Sequence, residues 1–239
     1  IWNRHLRIAD IVRASTAAPH FFDPEPVRLV EDGPPGLFVD GGLTPHKNPA
    51  LQLLLLAALD GHGLRWPIGP ENLMMISVGT GEFRHRLDPL AGAGMPAIGL
   101  AVRAMSGLIA DTSTSTLALL HWLSGTPAHW PLNGEIGTMA DDRPPYGRPL
   151  LAFERYDARL DAPWLEAELG LVVPEARLEQ ARRLDEPAAA ELLHEIGRQA
   201  AERFVRPETL RALMPDFVRS TGGETDRRTP GTPAARDAG

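Results

Sequence analysis

The chain has 239 residues and a net charge of −7, with 43% apolar residues, 23% charged residues and no cysteine. These are ordinary values for a globular domain, and they exclude a wholly disordered or fibrous chain, disulfides and thiolate metal sites. The negative charge argues against a nucleic-acid partner, and no apolar run approaches the roughly 18 residues of a transmembrane segment.

The first third of the chain begins with a predicted helix and a predicted strand. Residues Asp10–Ala18 suit a short helix that stops at Pro19. Leu37–Val39 is a short apolar run that follows Gly36 and precedes Asp40. Its length and the flanking glycines favour a buried strand that ends at Asp40.

A second helix has the clearest start signal in the sequence. Asn48 is a favourable N-cap residue and Pro49 suits the first helical position, which predicts a helix over Ala50–Leu59. Four consecutive leucines make this helix apolar on most sides, so we expect it to be well buried. Gly61 and Gly63 predict its end.

Leu73–Val78 is an uninterrupted apolar run, which is typical of a strand buried on both faces of a parallel sheet. Strand, helix and strand follow one another over about 40 residues, counted from Leu37. That order predicts a right-handed βαβ unit within a layered α/β domain.

The rest of the chain is predicted to be mostly helical, with one further strand. The predictions are helices over 96–110 and 117–123 with a break at 111–115, a loop over 127–146, a strand over 150–156, and helices over 174–184, 187–204 and 207–213. From Ser220 onward the sequence is polar and rich in Gly, Thr and Pro, which predicts disorder.

Most familiar site motifs are missing from the sequence. No two of the eight histidines have the spacing of an HExxH site, so no metal site is predicted. Only His20 and His46 lie close enough to the motifs below for a direct role. The run Gly92–Gly94 is not a dinucleotide fingerprint. The sequence also contains no Gly-x-Ser-x-Gly nucleophile elbow.

The sequence Asp40-Gly41-Gly42 is the strongest single candidate for a site. A carboxylate at the carboxyl end of a buried strand lies where α/β sheets place their ligands. Two following glycines allow a sharp turn and leave space beside the carboxylate. The alternative is an Asx turn that merely ends the strand.

Four motifs occur in order around this candidate. They are an alanine/serine segment with proline and aromatics (14–22), the Asp-Gly-Gly strand end (36–42), the Asn-Pro-Ala helix start (48–50) and Ser-Val-Gly-Thr-Gly (77–81). This series resembles the second half of the patatin-like phospholipase domain, closely over residues 8–82 and more loosely from Arg155–Leu160 onward. The resemblance implies a three-layer α/β/α domain.

The same resemblance divides the chain into three parts. Residues 1–160 would be the C-terminal part of the patatin-like domain, 161–219 a helical extension and 220–239 a disordered tail. The glycine-rich oxyanion loop and the nucleophile elbow of the family are not in this sequence. We therefore expect a fragment that is inactive by itself.

The resemblance also implies a chemistry. Patatin-like enzymes are serine acyl hydrolases with a Ser–Asp dyad, so Asp40 would be the general base, and Asp40, Gly41 and Gly42 would form the family's motif. The substrate would be a lipid or phospholipid, with no cofactor and no metal. We expect a cytoplasmic, bacterial protein with peripheral membrane contact. The alternatives are a non-catalytic remnant that binds a lipid or a partner, and an unrelated α/β protein.

Overall fold

A computed structural model describes residues 5–19, 21–83, 94–183 and 185–213. The mixture of helices and strands expected of an α/β chain is confirmed. The elements in chain order are α1 (Ile8–Ser15), β1 (Glu25–Val27), β2 (Gly36–Phe38), α2 (Ala50–Ala58), β3 (Met74–Val78), α3 (Ala97–Ser124), β4 (Ala152–Tyr156), α4 (Ala162–Leu169), α5 (Glu175–Ala181), α6 (Ala190–Phe204) and α7 (Pro207–Leu213). The predictions for His20 and for residues 220–239 lie outside the described residues.

The strands form two separate pairs. β1 and β2 are antiparallel, with Glu25 opposite Phe38. β3 and β4 are parallel, with Met74 opposite Ala152 and Val78 opposite Tyr156. The predicted βαβ unit that joins 37–39 to 73–78 is therefore wrong. β2 pairs with the nearby β1 and β3 with the distant β4, so the two strands lie in different sheets.

The described strands are less buried than predicted. Leu37 is 74% exposed, because the antiparallel pair packs only lightly on its surroundings. In β3, Met75 and Ser77 are buried, whereas Ile76 and Val78 are exposed, Val78 by 73%. The described residues thus cover one face of β3 and leave the other open, which corrects the prediction of burial on both faces.

One long helix replaces two predicted short ones. α3 runs for 28 residues through the predicted break at 111–115. The Thr112 hydroxyl donates to Ile109 O and the Thr114 hydroxyl to Ala110 O, at 3.0 and 3.1 Å. Because these side chains bond back to their own helix, they do not interrupt it.

The predicted start of α2 is confirmed, but a smaller part of the helix surface is buried than predicted. Ala50, Leu54 and Ala57 are buried, while Leu53 is exposed. The helix therefore buries one face only. It ends at Ala58 and leads into a short 3₁₀ turn, which closes at Gly63 with the left-handed φ of 76°.

Two apolar cores hold the described chain together. The first lies around β3, β4 and the C-terminal half of α3 and includes Leu120, Leu151 and Phe153. The second lies among α4, α5 and α6 and includes Leu165 and Ile196. The core residues named here are almost inaccessible to solvent, so each core is a well-packed unit.

The last three helices begin at or shortly after the prolines from which their starts were predicted. α5, α6 and α7 lie within or match the ranges predicted over 174–184, 187–204 and 207–213. α4 was not predicted, although Asp161 marks its start by accepting a hydrogen bond from Trp164 N–H at 3.0 Å. Across the described ranges, no helix combines the length and apolarity needed to cross a membrane.

Candidate active site

Asp40 lies two residues beyond β2, at the start of a tight turn. Its backbone N–H donates to Ala17 O at 3.0 Å, which ties the turn to the alanine segment that follows α1. Its Oδ1 accepts a hydrogen bond from Gly42 N–H at 2.6 Å, and Gly41–Leu43 form a 3₁₀ turn. The carboxylate thus makes an Asx turn, and that turn uses only one of its two oxygens.

The second carboxylate oxygen of Asp40 has no hydrogen-bond partner among the described residues. The side chain is half-buried. Among the residues that the structure describes, only Gly42 donates a hydrogen bond to this carboxylate. A carboxylate with one fixed and one unengaged oxygen is oriented yet able to accept a proton.

The two glycines of the motif have different reasons to be there. Neither Gly41 nor Gly42 has a positive φ, so the sharp turn that they form does not require a left-handed backbone conformation. A Cβ at Gly42 would lie 3.0 Å from Asp40 Oδ1, whereas a Cβ at Gly41 would make an ordinary 3.6 Å contact with His46 Cβ. Gly42 therefore leaves room for the carboxylate, and Gly41 has no comparable steric role.

His46 lies in the next 3₁₀ turn of the chain, Pro45–Lys47, and its side chain is exposed. Its backbone N–H donates to Thr44 Oγ1 at 3.2 Å, and the Thr44 hydroxyl donates to Gly41 O at 2.7 Å. Thr44 therefore links this turn to the Asp40 turn. The contribution of His46 to the link is through its backbone.

Asn48 connects the Asp40 region to the parallel strands. Its side chain is buried, and its Oδ1 accepts hydrogen bonds from Ala50 N–H and from the Ser77 hydroxyl, both at 3.2 Å. The first bond caps α2 as the sequence predicts. The second joins two motifs of the series, since Ser77 opens the Ser-Val-Gly-Thr-Gly segment.

A buried polar network continues from Ser77 across the two strands. Arg155 donates to Ser77 Oγ at 2.7 Å and to Asp157 Oδ2 at 2.6 Å. Asp157 Oδ1 accepts hydrogen bonds from Gly81 N–H and Ala158 N–H, both at 2.9 Å. Its side chain is only 3% exposed, so its charge is compensated entirely by protein groups.

This network explains the glycine at position 79 of the Ser-Val-Gly-Thr-Gly motif. A Cβ at Gly79 would lie 1.8 Å from Asp157 Oδ2, which no side chain could tolerate. The sequence does not single out Arg155 and Asp157 as a site. A signal was nevertheless present, because Asp157 follows the end of a predicted strand, as Asp40 does.

A second polar cluster lies on the opposite face of β4. His129 Nε2 donates to Glu154 Oε1 at 2.6 Å, and Glu154 is buried. The His129 ring stacks on Tyr156 with a centroid separation of 6.2 Å. His121 is also buried and donates from Nδ1 to Thr126 O at 2.8 Å. Burial lowers the pKa of His121, so its ring is neutral at pH 7.

Within the described ranges, no three His, Asp or Glu side chains come together in a group that could hold a metal ion. Comparison of the whole chain with protein-family models, with curated proteins and with solved structures finds no match. The resemblance to the patatin-like family therefore stays a prediction from the four sequence motifs, between which the structure shows two hydrogen bonds. Those contacts join the motifs in two pairs, Ala17 with Asp40 and Asn48 with Ser77.

Proposed function

We propose that this chain supplies the general base of a patatin-like serine acyl hydrolase that cleaves acyl esters of lipids or phospholipids. The single observation that supports the proposal is the half-buried Asp40 carboxylate, with Oδ1 fixed by Gly42 N–H and Oδ2 unengaged among the described residues. Its fold would be the C-terminal part of a three-layer α/β/α domain. Contact with the lipid would be peripheral.

In this proposal Asp40 moves a proton at each half-reaction. A serine hydroxyl, supplied from outside these 239 residues, attacks the ester carbonyl while Asp40 Oδ2 takes its proton. The proton then passes to the departing alcohol as the ester C–O bond breaks. Water attacks the acyl-serine by the same route, and the carboxylate returns the proton to the serine oxygen.

The rest of the Asp40 region would hold the base in place. The bond from Asp40 N–H to Ala17 O fixes the backbone, and the Gly42 N–H bond fixes the rotation of the carboxylate. Asn48 caps the helix that follows and is itself held by Ser77. A base that is fixed before the substrate arrives gains rate because orientation has been settled in advance.

The experiment is steady-state hydrolysis of an octanoyl ester by the full-length product of the reading frame that encodes this chain. Asp40→Asn keeps the size of the side chain and removes the base. We expect turnover to fall by about 10²–10⁴ with little change in KM. The matched control is Asp32→Asn, since Asp32 is an exposed carboxylate in another turn. Near-wild-type turnover of Asp40→Asn would eliminate the dyad.

The second candidate function is a non-catalytic module that binds a lipid or a partner chain. The observation that favours it is the hydrogen bond from Gly42 N–H, because an Asx turn alone would account for Asp40. If the full-length protein binds phospholipid vesicles but hydrolyses no ester, this candidate replaces the first.

A further inference from the structure

The peptide group between Gly41 and Gly42 makes hydrogen bonds on both of its sides. Its N–H, which belongs to Gly42, donates to Asp40 Oδ1 at 2.6 Å. Its carbonyl oxygen, which belongs to Gly41, accepts two hydrogen bonds from Thr44, one from the backbone N–H at 3.0 Å and one from the hydroxyl at 2.7 Å. Because the peptide group is planar, its orientation decides whether the Asp40 carboxylate has this donor.

This peptide group has little to hold it within its own backbone. A peptide plane flips when ψ of the residue before it and φ of the residue after it change together. Here both residues are glycines, which have no Cβ and therefore admit either orientation at low cost. After a flip the Gly42 N–H would point away from Asp40. The two bonds from Thr44 oppose the flip, because a flipped carbonyl would lose both of them.

Thr44 is itself held in place. It is half-buried and extended, with φ −121° and ψ 177°, between the two 3₁₀ turns. Its Oγ1 accepts a hydrogen bond from His46 N–H at 3.2 Å, and its hydroxyl hydrogen is used for Gly41 O. A β-branched side chain also has few χ1 rotamers. The hydroxyl of Thr44 is therefore a fixed donor.

The hydrogen bonds around Thr44 form a chain that ends at the carboxylate. They run from His46 N–H to Thr44 Oγ1, from the Thr44 hydroxyl to Gly41 O, and from Gly42 N–H to Asp40 Oδ1. Hydrogen bonds that follow one another in this sense polarise and strengthen each other. The chain ends on Oδ1, so Oδ2 remains the oxygen without a partner among the described residues.

We propose that Thr44 is a positioning residue for Asp40. Its hydroxyl holds the Gly41–Gly42 peptide so that Gly42 N–H fixes one carboxylate oxygen and the other stays available to the serine hydroxyl. This inference rests on the function proposed for Asp40. Since Thr44 acts through the peptide and does not touch the substrate, its loss should lower kcat and leave KM almost unchanged.

The experiment is steady-state hydrolysis of an octanoyl ester by the full-length product of the reading frame that encodes this chain. Thr44→Val keeps the branched shape and the backbone bond to Gly41 O but removes the hydroxyl. We expect kcat to fall about threefold to tenfold, the range for one hydrogen bond, with KM almost unchanged. Thr44→Ser keeps the hydroxyl and should restore kcat. The matched control is Thr114→Val, because the half-buried Thr114 hydroxyl also donates to a carbonyl oxygen, that of Ala110 in α3.

The Gly42 amide gives a readout that does not depend on hydrolysis. Hydrogen exchange of this amide, measured by NMR on the same full-length protein, should become about threefold to tenfold faster in Thr44→Val. It should be unchanged in Thr44→Ser and in Thr114→Val. Exchange at Ala50 N–H, which Asn48 caps, should be the same in all variants, because only a general loosening of the loop would expose both amides.

Three patterns of results would overturn the proposal. Wild-type kcat in Thr44→Val, together with lost turnover in Asp40→Asn, would show that the base does not need Thr44. A rise in KM as large as the fall in kcat, or faster exchange at Ala50 as well as at Gly42, would show that Thr44 only stabilises the loop. If Asp40→Asn retains turnover, the function proposed for Asp40 fails and the role of Thr44 fails with it. Because Asp40→Asn alone reveals that last case, the failures of the two proposals are distinguishable.

Discussion

Asp40 and Asp157 occupy similar places in the chain but different environments. Each follows a strand, and each makes a hydrogen bond to a glycine N–H, at 2.6 Å to Gly42 and at 2.9 Å to Gly81. Asp157 accepts two further hydrogen bonds, from Ala158 N–H and Arg155, and is almost inaccessible. Asp40 accepts none from the other described residues and is half-buried.

The difference shows that position at a strand end does not by itself define a catalytic carboxylate. The number of donors around the side chain separates the two. With three partners, Asp157 holds β3, β4 and the loop after β3 together, and no oxygen is left for a substrate. With one partner, Asp40 should contribute less to stability than Asp157, and it has one oxygen without a partner among the described residues.

The largest effect on stability should come from removing the carboxylate of Asp157. Asp157→Ala leaves Arg155 buried without its anion and frees the Gly81 and Ala158 N–H groups. We expect a loss of about 3–5 kcal/mol in the free energy of unfolding, measured by urea denaturation. Asp40→Ala, the matched substitution, should cost about 1 kcal/mol. Equal losses for the two variants would contradict the comparison.

The glycines beside Asp40 and Asp157 provide a second test of the difference between these two carboxylates. A Cβ at position 79 would overlap Asp157 Oδ2, so Gly79→Ala must displace the buried network and should cost about 1–3 kcal/mol or more. Gly42→Ala moves only a half-exposed carboxylate and should cost less. Gly41→Ala is the control, because its Cβ makes an ordinary contact. Urea denaturation of the three variants should rank them in this order, and the reverse order would exclude steric crowding as the cause.

Local signals predicted the helices and strands of this chain more successfully than their arrangement. The prolines and Asn48 located helix starts, and the apolar runs located β3 and β4. β1 was missed because it is only three residues long and contains Pro26. The partner of β2 was predicted wrongly, because β2 pairs with the nearby β1, the strand that was missed.

In the candidate site too, local features could be predicted from the sequence, whereas contacts between distant residues could not. Asp40 could be identified from its own neighbours, since the motif and the strand that precedes it are continuous. The bond between Ser77 and Arg155 joins residues 78 positions apart, so no local pattern predicts it. The steric reason for a glycine at position 79 could be given only from the structure, which places the Asp157 carboxylate beside it.

The stability of the chain should also respond to pH through His121, which packs against Phe153 of β4. Burial lowers the pKa of His121 below its ordinary value of 6.5. Below pH 6.5 the unfolded chain therefore binds a proton at His121 that the folded chain does not, and stability falls as the pH falls. The slope for one proton is at most about 1.4 kcal/mol per pH unit.

His121→Gln should flatten this part of the pH profile, measured as the free energy of unfolding between pH 7.5 and 5.5. His62→Gln is the control, since His62 is an exposed histidine in the turn after α2. The difference between the slopes of the two variants reports the loss of His121 together with its interaction with the nearby Glu154 and His129. Parallel profiles would mean that His121 is protonated to the same extent in both states.

The smallest effect concerns Asn48, which links the two regions. Asn48→Ala removes the cap on Ala50 N–H and the acceptor for the Ser77 hydroxyl, but it also removes a buried Nδ2 that has no partner among the described residues. The losses and the gain offset each other in part, so we expect a net cost of about 1 kcal/mol in the free energy of unfolding.

A double-mutant cycle of Asn48→Ala with Ser77→Ala isolates the link between the regions. The loss of the bond to Ala50 N–H occurs in both proteins that carry Asn48→Ala and therefore cancels, so the cycle isolates the bond between the two side chains. We expect a coupling of about 0.5–1.5 kcal/mol from urea denaturation of the four proteins. Strictly additive effects would mean that the Asp40 region and the strand network are stabilised separately. A measurable coupling would mean that the buried network around Asp157 extends to α2, the helix that follows the Asp40 turn.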